Sequence, residues 1–543
     1  MKKQILLFGL LILCMPQAYA GGLVSNTNQS AAWARVLARS ATTEIDAVYF
    51  NPAGLTKLGD GFHLSISSQT IYKTETIVNS FPFLNEDTYT GDIKAPVFPS
   101  VYAAYKTGRW AFSLGVNPVG GGGSAEYTKG MPMIEMPIST LVPGFAGQGV
   151  TGYSMDGYFQ GTSVYWGVQG GVSFKINDHL SIFGGARYVM AKNSYTGHLK
   201  DIQLTVDGST QRADAFLGGL ANEASAGAAL ATGAGDQMEP LIDPYGDLTL
   251  QEAVDGGILT PQEKGMIEGG LKLFGYEQDA IDLMDIETVQ GTFYGTGEAL
   301  ATQSQQLTGA AFLMGDQEAE IEQTGSGITP IIGVNLALLE DRLNIGVKYE
   351  FKTAMELTNK VEPGKGFIIG LNPDGTPVEL FPDGEVTNAD MPAYLSMGVD
   401  FRVIERLKLS AAYHVHFEKQ TDWEDADLLD KNTSEIALGA EFNITDKFLL
   451  SAGWMHTSPG TNKDYNSDLS FGINSDVFGF GGAYHFSKVI TLNLGGYITT
   501  YENAEYDLAY DIGEGLVPYT VNYDKQLWAV AVGLDFHFGG NKD

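Results

Sequence analysis

The C-terminal stretch of the chain alternates with a period of two. Trp528, Val530, Val532, Leu534, Phe536 and Phe538 share one face, and Ala529, Ala531, Gly533, Asp535 and His537 share the other. The apolar face is large and ends in aromatics; the opposite face is small or polar. A soluble sandwich strand alternates too, but its polar face is the outer one and it has no need of a terminal Phe. The same pattern recurs with charge on the second face. Leu343, Ile345, Val347, Tyr349 and Phe351 alternate with Asn344, Gly346, Lys348, Glu350 and Lys352. Leu407, Leu409, Ala411, Tyr413, Val415 and Phe417 alternate with Lys408, Ser410, Ala412, His414, His416 and Glu418. A charged face opposite a lipid-compatible face needs a wet interior, which a wide barrel provides and a packed core does not.

Segments of this kind fall at 62–73, 97–106, 109–118, 161–174, 180–195, 328–339, 342–354, 393–403, 407–419, 432–443, 447–456, 475–487, 490–501 and 525–538. Tight joins such as Asn177-Asp178, Glu340-Asp341, Thr445-Asp446 and Ser487-Lys488 alternate with long acidic ones, as the periplasmic and extracellular rims of a bacterial barrel do. The expected fold is therefore all-β: a fourteen-stranded antiparallel transmembrane β-barrel, the even count bringing both chain ends to one side.

Composition removes the alternatives. Outside the extreme N-terminus no run of 18 apolar residues exists, so transmembrane helices are excluded. Thirty-two Lys and Arg stand against 65 Asp and Glu, a net charge of −33 without a basic cluster, and that excludes nucleic acid as a partner. With 11% aromatic residues the chain is not disordered.

Residues 1–20 read as a signal peptide: Lys2 and Lys3, an apolar run from Ile5 to Met15, and Ala18-Tyr19-Ala20 for cleavage. Cys14 invites a lipoprotein reading, but Leu13 stands where a small residue is needed. The expected mature chain has no cysteine, hence no disulfide and no thiol chemistry.

Two regions do not fit strands: 21–61, ahead of the barrel expected at 62–538, and an oversized loop at 197–326; residues 539–543 are a short tail. The loop carries two capping boxes, Thr249 with Glu252 and Thr260-Pro261 with Glu263, the second with Pro at the first helical position. Its apolar residues, among them Met266, Leu271, Phe274 and Leu283, either hold a helical cap together or line a groove at the cell surface.

Before the first strand stands Tyr49-Phe50-Asn51-Pro52-Ala53-Gly54-Leu55. With the plug-sized lead, the strand count, the helical third loop and the terminal Phe, this resembles the FadL/TodX-type family of outer-membrane transporters over nearly the whole chain. The resemblance implies a hatch at 21–61 plugging the barrel, with Asn51, Pro52 and Ala53 as its motif. Pro52 keeps Asn51 out of the helical region, and an Asn there can bond its own neighbouring backbone, so the pair reads as a turn inside the lumen or as part of a gate. Gly115, Asn117 and Pro118, ahead of Gly120 to Gly123, are where a kinked third strand would open the wall; a simple loop start is the other reading. No helical pattern follows the Gly run, which removes a phosphate loop.

The resemblance implies long-chain fatty acids or hydrocarbons as ligands, capture on the helical loop, passage to a lumenal pocket and lateral exit through the wall. Leu23, Leu271 and Phe274 are candidates for touching the apolar part. Alternation points Arg187, Lys348, Lys352 and Lys408 inward, and Arg187 and Lys348 are candidates for a carboxylate head, although an ion network with Glu350, Glu418, Glu435 and Glu441 explains such cations as well. His414 and His416 lack a third ligand at metal spacing, and the run Asp422, Glu424, Asp425, Asp427, Asp430 reads either as a weak calcium or magnesium site or as a solvated acidic rim bridged by divalent ions to lipopolysaccharide. No cofactor, metal site or enzyme activity is expected; no nucleophile motif is present. The expected protein is a monomer in the outer membrane. A diffusion porin or a surface adhesin are the rival functions; neither needs a forty-residue plug.

Overall fold

The computed structural model describes residues 29–539, apart from 373, 374 and 514. Fourteen strands form one closed antiparallel barrel. They are β1 Gly61–Asn79, β2 Thr88–Thr107, β3 Trp110–Tyr127, β4 Val150–Lys175, β5 Leu180–Val206, β6 Gln317–Leu338 and β7 Leu343–Glu350, then β8 Tyr394–Ile404, β9 Leu407–His416, β10 Thr433–Asn443, β11 Phe448–Ser458, β12 Ser475–His485, β13 Ile490–Tyr501 and β14 Leu516–Phe538. Each pairs with its sequence neighbours, and β1 pairs with β14 from Phe62↔Phe538 to Asn79↔Val521, which closes the ring. All fourteen segments expected from alternation are present. The signal peptide, Leu23 and all but the first residue of the C-terminal tail lie outside the described residues.

The outer face carries the apolar residues that alternation assigned to it. Trp528, Val530, Val532, Leu534 and Phe538 of β14 are exposed, as are Leu343's successor Val347 on β7, Leu409 on β9 and Ile436 on β10. Stacked aromatic pairs mark the two edges of this band: Phe62 on Phe538 at 6.4 Å and Tyr72 on Trp528 at 4.4 Å. These pairs are ~33 Å apart along β1 at about 3.3 Å per residue. A strand tilt of about 40° turns that into ~25 Å of height, the thickness of an outer-membrane apolar band.

Crossing that band takes about ten residues, yet β4 and β5 have 26 and 27 residues. The surplus stands above the membrane. Here the loop expected at 197–326 is corrected: β5 continues to Val206 and β6 begins at Gln317, because Leu199, Ile202, Leu204 and Ile321 keep alternating inward and are buried. The helical part is 213–313. Its long helices, Ala213–Tyr245 and Ile286–Leu313, form an antiparallel arm, and three short helices close its tip. Both expected capping boxes are formed.

The lead into the barrel folds as a hatch inside it. The helices α1 Ala31–Val36 and α2 Ala47–Phe50 and a tight helical turn at Pro52–Lys57 fill the lumen, nearly all of their residues buried. A ring of wall glycines makes room for its backbone. A Cβ at Gly346 would stand 2.2 Å from the Ser40 carbonyl, at Gly439 2.6 Å and at Gly453 2.2 Å from that of Val36, and at Gly495 2.9 Å from that of Ala31. Across the ladders Gly346 pairs with Gly398, Gly439 with Gly453, and Gly481 with Gly495. Cross-strand pairing thus turns single small residues into a continuous seat.

Candidate functional site

The hatch motif is tied to the wall. Asn51 is extended (φ −147°, ψ 69°), as its neighbour Pro52 requires, and Pro52 starts the helical turn. The Asn51 amide does not bond its adjacent backbone, as a free turn would allow. It donates to the Thr42 carbonyl at 3.0 Å and to Asn335 Oδ1 on β6 at 2.7 Å, because barrel closure brings better acceptors within reach. The Pro52 carbonyl accepts from the Ser173 hydroxyl of β4 at 2.6 Å, and Ala53 packs on Phe183 and Ile331.

Further locks surround it. Glu441 of β10 receives Arg35 of α1 and Lys408 of β9, and Arg39 lies 3.9 Å away. Ser40 Oγ is 2.8 Å from His414 Nε2, and His414 Nδ1 is 2.8 Å from Glu435. That order of groups is the order of a hydrolytic triad. Here Ser40 is 2% exposed and pressed against Gly398 of the wall, so the chain of bonds fastens the hatch. His416 also turns to Glu435, at 3.9 Å.

Above the hatch is a lumenal pocket lined by Tyr49, Val119, Thr329, Met391, Tyr394 and His416, with Arg187 and Glu350 at its side. Arg187 holds Glu350 in a bidentate pair (2.6 and 2.9 Å) and donates to Gln169 at 2.7 Å. Lys348 donates to Glu350 and to the Tyr49 carbonyl, each at 2.7 Å, with its ammonium 4.5 Å from the Tyr49 ring. Two cations therefore share one carboxylate, which leaves the triad with one positive charge in excess. Lys352 stands higher, between Asp390 and Asp422 at the rim, and Lys408 sits at the inner mouth.

The β2–β3 ladder is interrupted beside this pocket. β2 and β3 pair from Gly91↔Tyr127 to Lys94↔Ser124 and again from Val101↔Val116 to Thr107↔Trp110, with no partners between. Pro96, Pro99 and Pro118 lie in the gap and have no N–H to donate. Gly121 and Gly123 take positive φ (78° and 112°), where a side chain would be strained. β2 stays paired to β1 and β3 to β4, so the interruption is confined to the β2–β3 seam, where Ala95, Phe98, Asn117 and Val119 are buried. Its outer end lies at Lys94, which pairs with Tyr72 at the upper edge of the apolar band. Gly115 and Asn117 flank it or lie in it, and Val119 sits between it and the lumenal pocket. The hatch reaches the same place: the Gln29 amide donates to the Pro118 carbonyl at 2.5 Å. The β2 half of the gap was visible as Ala95-Pro96-Val97-Phe98-Pro99, two prolines inside an otherwise alternating strand, and sequence reasoning passed over it.

A second, apolar pocket lies on the outer face. It encloses about 1310 Å³, its open mouth included. A short helix, α3 Pro132–Ser139, gives Met133, Ile134 and Ile138; β4 and β5 give Phe159 and Tyr195; the arm gives Leu313 and Met314; and the hairpin at 368–379 closes it with Phe367 and Phe381. Tyr195 stacks on Phe381 at 5.2 Å. No Lys or Arg lines it. Leu271 and Phe274 are elsewhere, in the arm's own core, with Leu271 fully buried and Phe274 set edge-on to Phe293 at 6.3 Å.

The molecule is thus a plugged transmembrane barrel with an apolar outer pocket, a charged lumenal pocket and an interrupted ladder between β2 and β3. Its fold is that of the FadL-type barrels. A FadL homologue from Pseudomonas aeruginosa superposes with a TM-score of 0.56 at 13% identity, covering 96% of this chain and 100% of that one. The Pseudomonas putida toluene transporter TodX gives 0.48 at 12% identity, covering 95% and 100%. No protein-family model and no curated protein sequence matches the chain.

Proposed function

We propose that this protein is an outer-membrane transporter of long-chain fatty acids or other hydrophobic molecules, taking them up at the outer pocket, passing them to the lumenal pocket and releasing them sideways into the membrane. One observation carries the reading: the barrel is stoppered along its axis, while the ladder between β2 and β3 is interrupted at the level of the apolar band and is the place where the wall could part. A water-soluble solute needs an axial pore. An opening that faces lipid serves only a molecule that prefers lipid, and a stoppered axis argues against a diffusion porin.

The pockets suit such a cargo. The outer one offers aromatic and methionine surface with no cation, which favours capture of an alkyl chain or ring over a head group. The Arg187–Lys348–Glu350 triad, with its uncompensated charge, is where a carboxylate would settle. Pseudo-axial passage is replaced by a short step past Val119 to the gap, for which the Gln29–Pro118 contact must yield. No energy source is required when the cargo is consumed downstream.

The test is uptake of labelled oleate and of toluene by cells that lack their own route, with the wild-type protein and with an Asn51→Ala, Pro52→Ala double variant. Uptake of one ligand, lost in the variant, supports the reading and separates the two cargo classes. Uptake of neither, with small sugars entering instead, would sink it.

A further inference from the structure

The outer pocket and the barrel mouth share one wall, the helix α3. Its Met133 and Ile134, and Met131 just before it, line the outer pocket. The same three residues pack against an apolar, largely aromatic layer at the barrel mouth, made by Ile77, Tyr89, Tyr127, Val521 and Tyr523 of β1, β2, β3 and β14 and by Phe471 of the β11–β12 loop. Whatever moves from the pocket into the barrel displaces this helix or passes beneath it.

α3 is held by carboxylates rather than by its own backbone. Glu135 is the only charged residue of the helix and is buried. Its oxygens accept from the Tyr153 hydroxyl of β4 at 2.5 Å, the Tyr89 hydroxyl of β2 at 2.6 Å and the Asn85 N–H at 3.2 Å. Asp468, from the loop between β11 and β12, accepts from the Met133 N–H at 2.7 Å and from the Tyr523 hydroxyl at 3.1 Å. The helix itself is weak. Pro137 stands inside it, so the Met133 carbonyl has no N–H four residues on. An eight-residue helix with an internal proline has little stability apart from its contacts. Its Met side chains are the flexible kind that a visiting apolar molecule can replace against the aromatic layer.

We propose that α3 is the gate between the outer pocket and the barrel lumen, and that Glu135 is the positioning residue that latches it. The latch rests on the transport reading given above. With the Tyr89 and Tyr153 bonds made, the Met face covers the aromatic layer. With them broken, the helix lifts toward solvent and the cargo takes the place of Met131 and Met133 on Phe471 and Tyr523.

The test measures access and transport separately, on the full-length protein in outer membranes. The only cysteine of the sequence is Cys14, in the segment read as a signal peptide. A Val521→Cys reporter beneath the helix is therefore labelled selectively by a membrane-impermeant thiol reagent. Glu135→Ala in that background should speed labelling by about tenfold or more, the effect of losing roughly one charge-assisted hydrogen bond. Heat-modifiable gel migration checks that the barrel has folded; should Glu135→Ala fail to fold, the Tyr89→Phe, Tyr153→Phe pair gives the same readout with the carboxylate kept. An unchanged rate in a folded barrel overturns the latch. In a second arm, Met133→Cys with Leu469→Cys is oxidised to tie the helix to the facing loop. Uptake should fall by about tenfold or more and return on reduction; undiminished uptake overturns the gate. If the wild-type protein takes up neither oleate nor toluene, the transport reading fails, and the labelling arm still judges the helix.

Discussion

The lumen is closed twice, and the two closures are built differently. The inner one, the hatch, is seated on wall glycines and bonded to strand after strand through buried charged and amide groups: Arg35 to Glu441, Lys348 to the Tyr49 carbonyl, Asn344 to the Ala41 carbonyl. The outer one, α3, is a proline-broken helix held by its own Glu135, bonded to strand tyrosines, and by Asp468 of the β11–β12 loop. A barrier that must stay watertight is overdetermined, and one that must open each cycle is drawn from the low-stability end of the structure. The difference suggests that cargo moves past the outer closure routinely. At the inner one the Gln29 amide meets the interrupted β2–β3 seam by donating to the Pro118 carbonyl.

Removing the wall carboxylate that fastens the hatch should have the largest effect. Glu441→Ala leaves Arg35, Lys408 and Arg39 facing one another in the lumen. Loss of one partner from a buried ion cluster costs about 3–5 kcal/mol. The unfolding midpoint in urea should drop accordingly and single-channel conductance should appear; a barrel that keeps both its midpoint and its seal would remove the contrast between the closures.

Next in size is a pH effect on the outer closure. Burial pushes the Asp468 carboxyl up to about 6, despite the opposing hydrogen bonds from Met133 and Tyr523. A raised folded value means that the clasped loop is most stable in acid and loses stability as pH rises through 6. The full span is about 3 kcal/mol, taking the unfolded value near 3.9 and about 1.4 kcal/mol per unit. The protection of α3 amides against hydrogen exchange, corrected for the intrinsic pH dependence of exchange, should therefore fall between about pH 4 and 6 in the wild type and stay flat in Asp468→Asn. A wild-type profile with no pH dependence would contradict the assignment.

Smallest is a test of the glycine seat. Gly453→Ala sets a methyl 2.2 Å from the Val36 carbonyl, a backbone atom that has nowhere to retreat. Overpacking of this kind costs about 1–3 kcal/mol, read as a lower thermal midpoint of the folded barrel. Gly218→Ala, on the helical arm where a Cβ meets nothing within 4 Å, should leave it unchanged.

Much of this was legible in the chain. Alternation located every barrel strand, since a two-residue period with one lipid-facing side leaves little choice of register. Thr249 and Thr260 announced helix starts through purely local chemistry, and Asn117-Pro118 with its glycines announced a disturbed strand. Other features had no local signal. The outer pocket is assembled from α3, the long strands, the arm and the 368–379 hairpin, and no one of these segments looks like a site. Leu271 and Phe274 carried the right chemistry for a ligand surface, but the arm folds on itself and spends them on its own core.

Sequence alone determined that this chain is a wide barrel, because side-chain period and turn residues act over a few positions; that its lead plugs the barrel was what the family resemblance implied. Only the tertiary structure decided which charges meet. Arg187 and Glu350 are 163 residues apart and Arg35 and Glu441 are 406 apart. Their pairing follows from ring closure and from the depth at which the hatch sits, quantities that no stretch of neighbouring residues encodes.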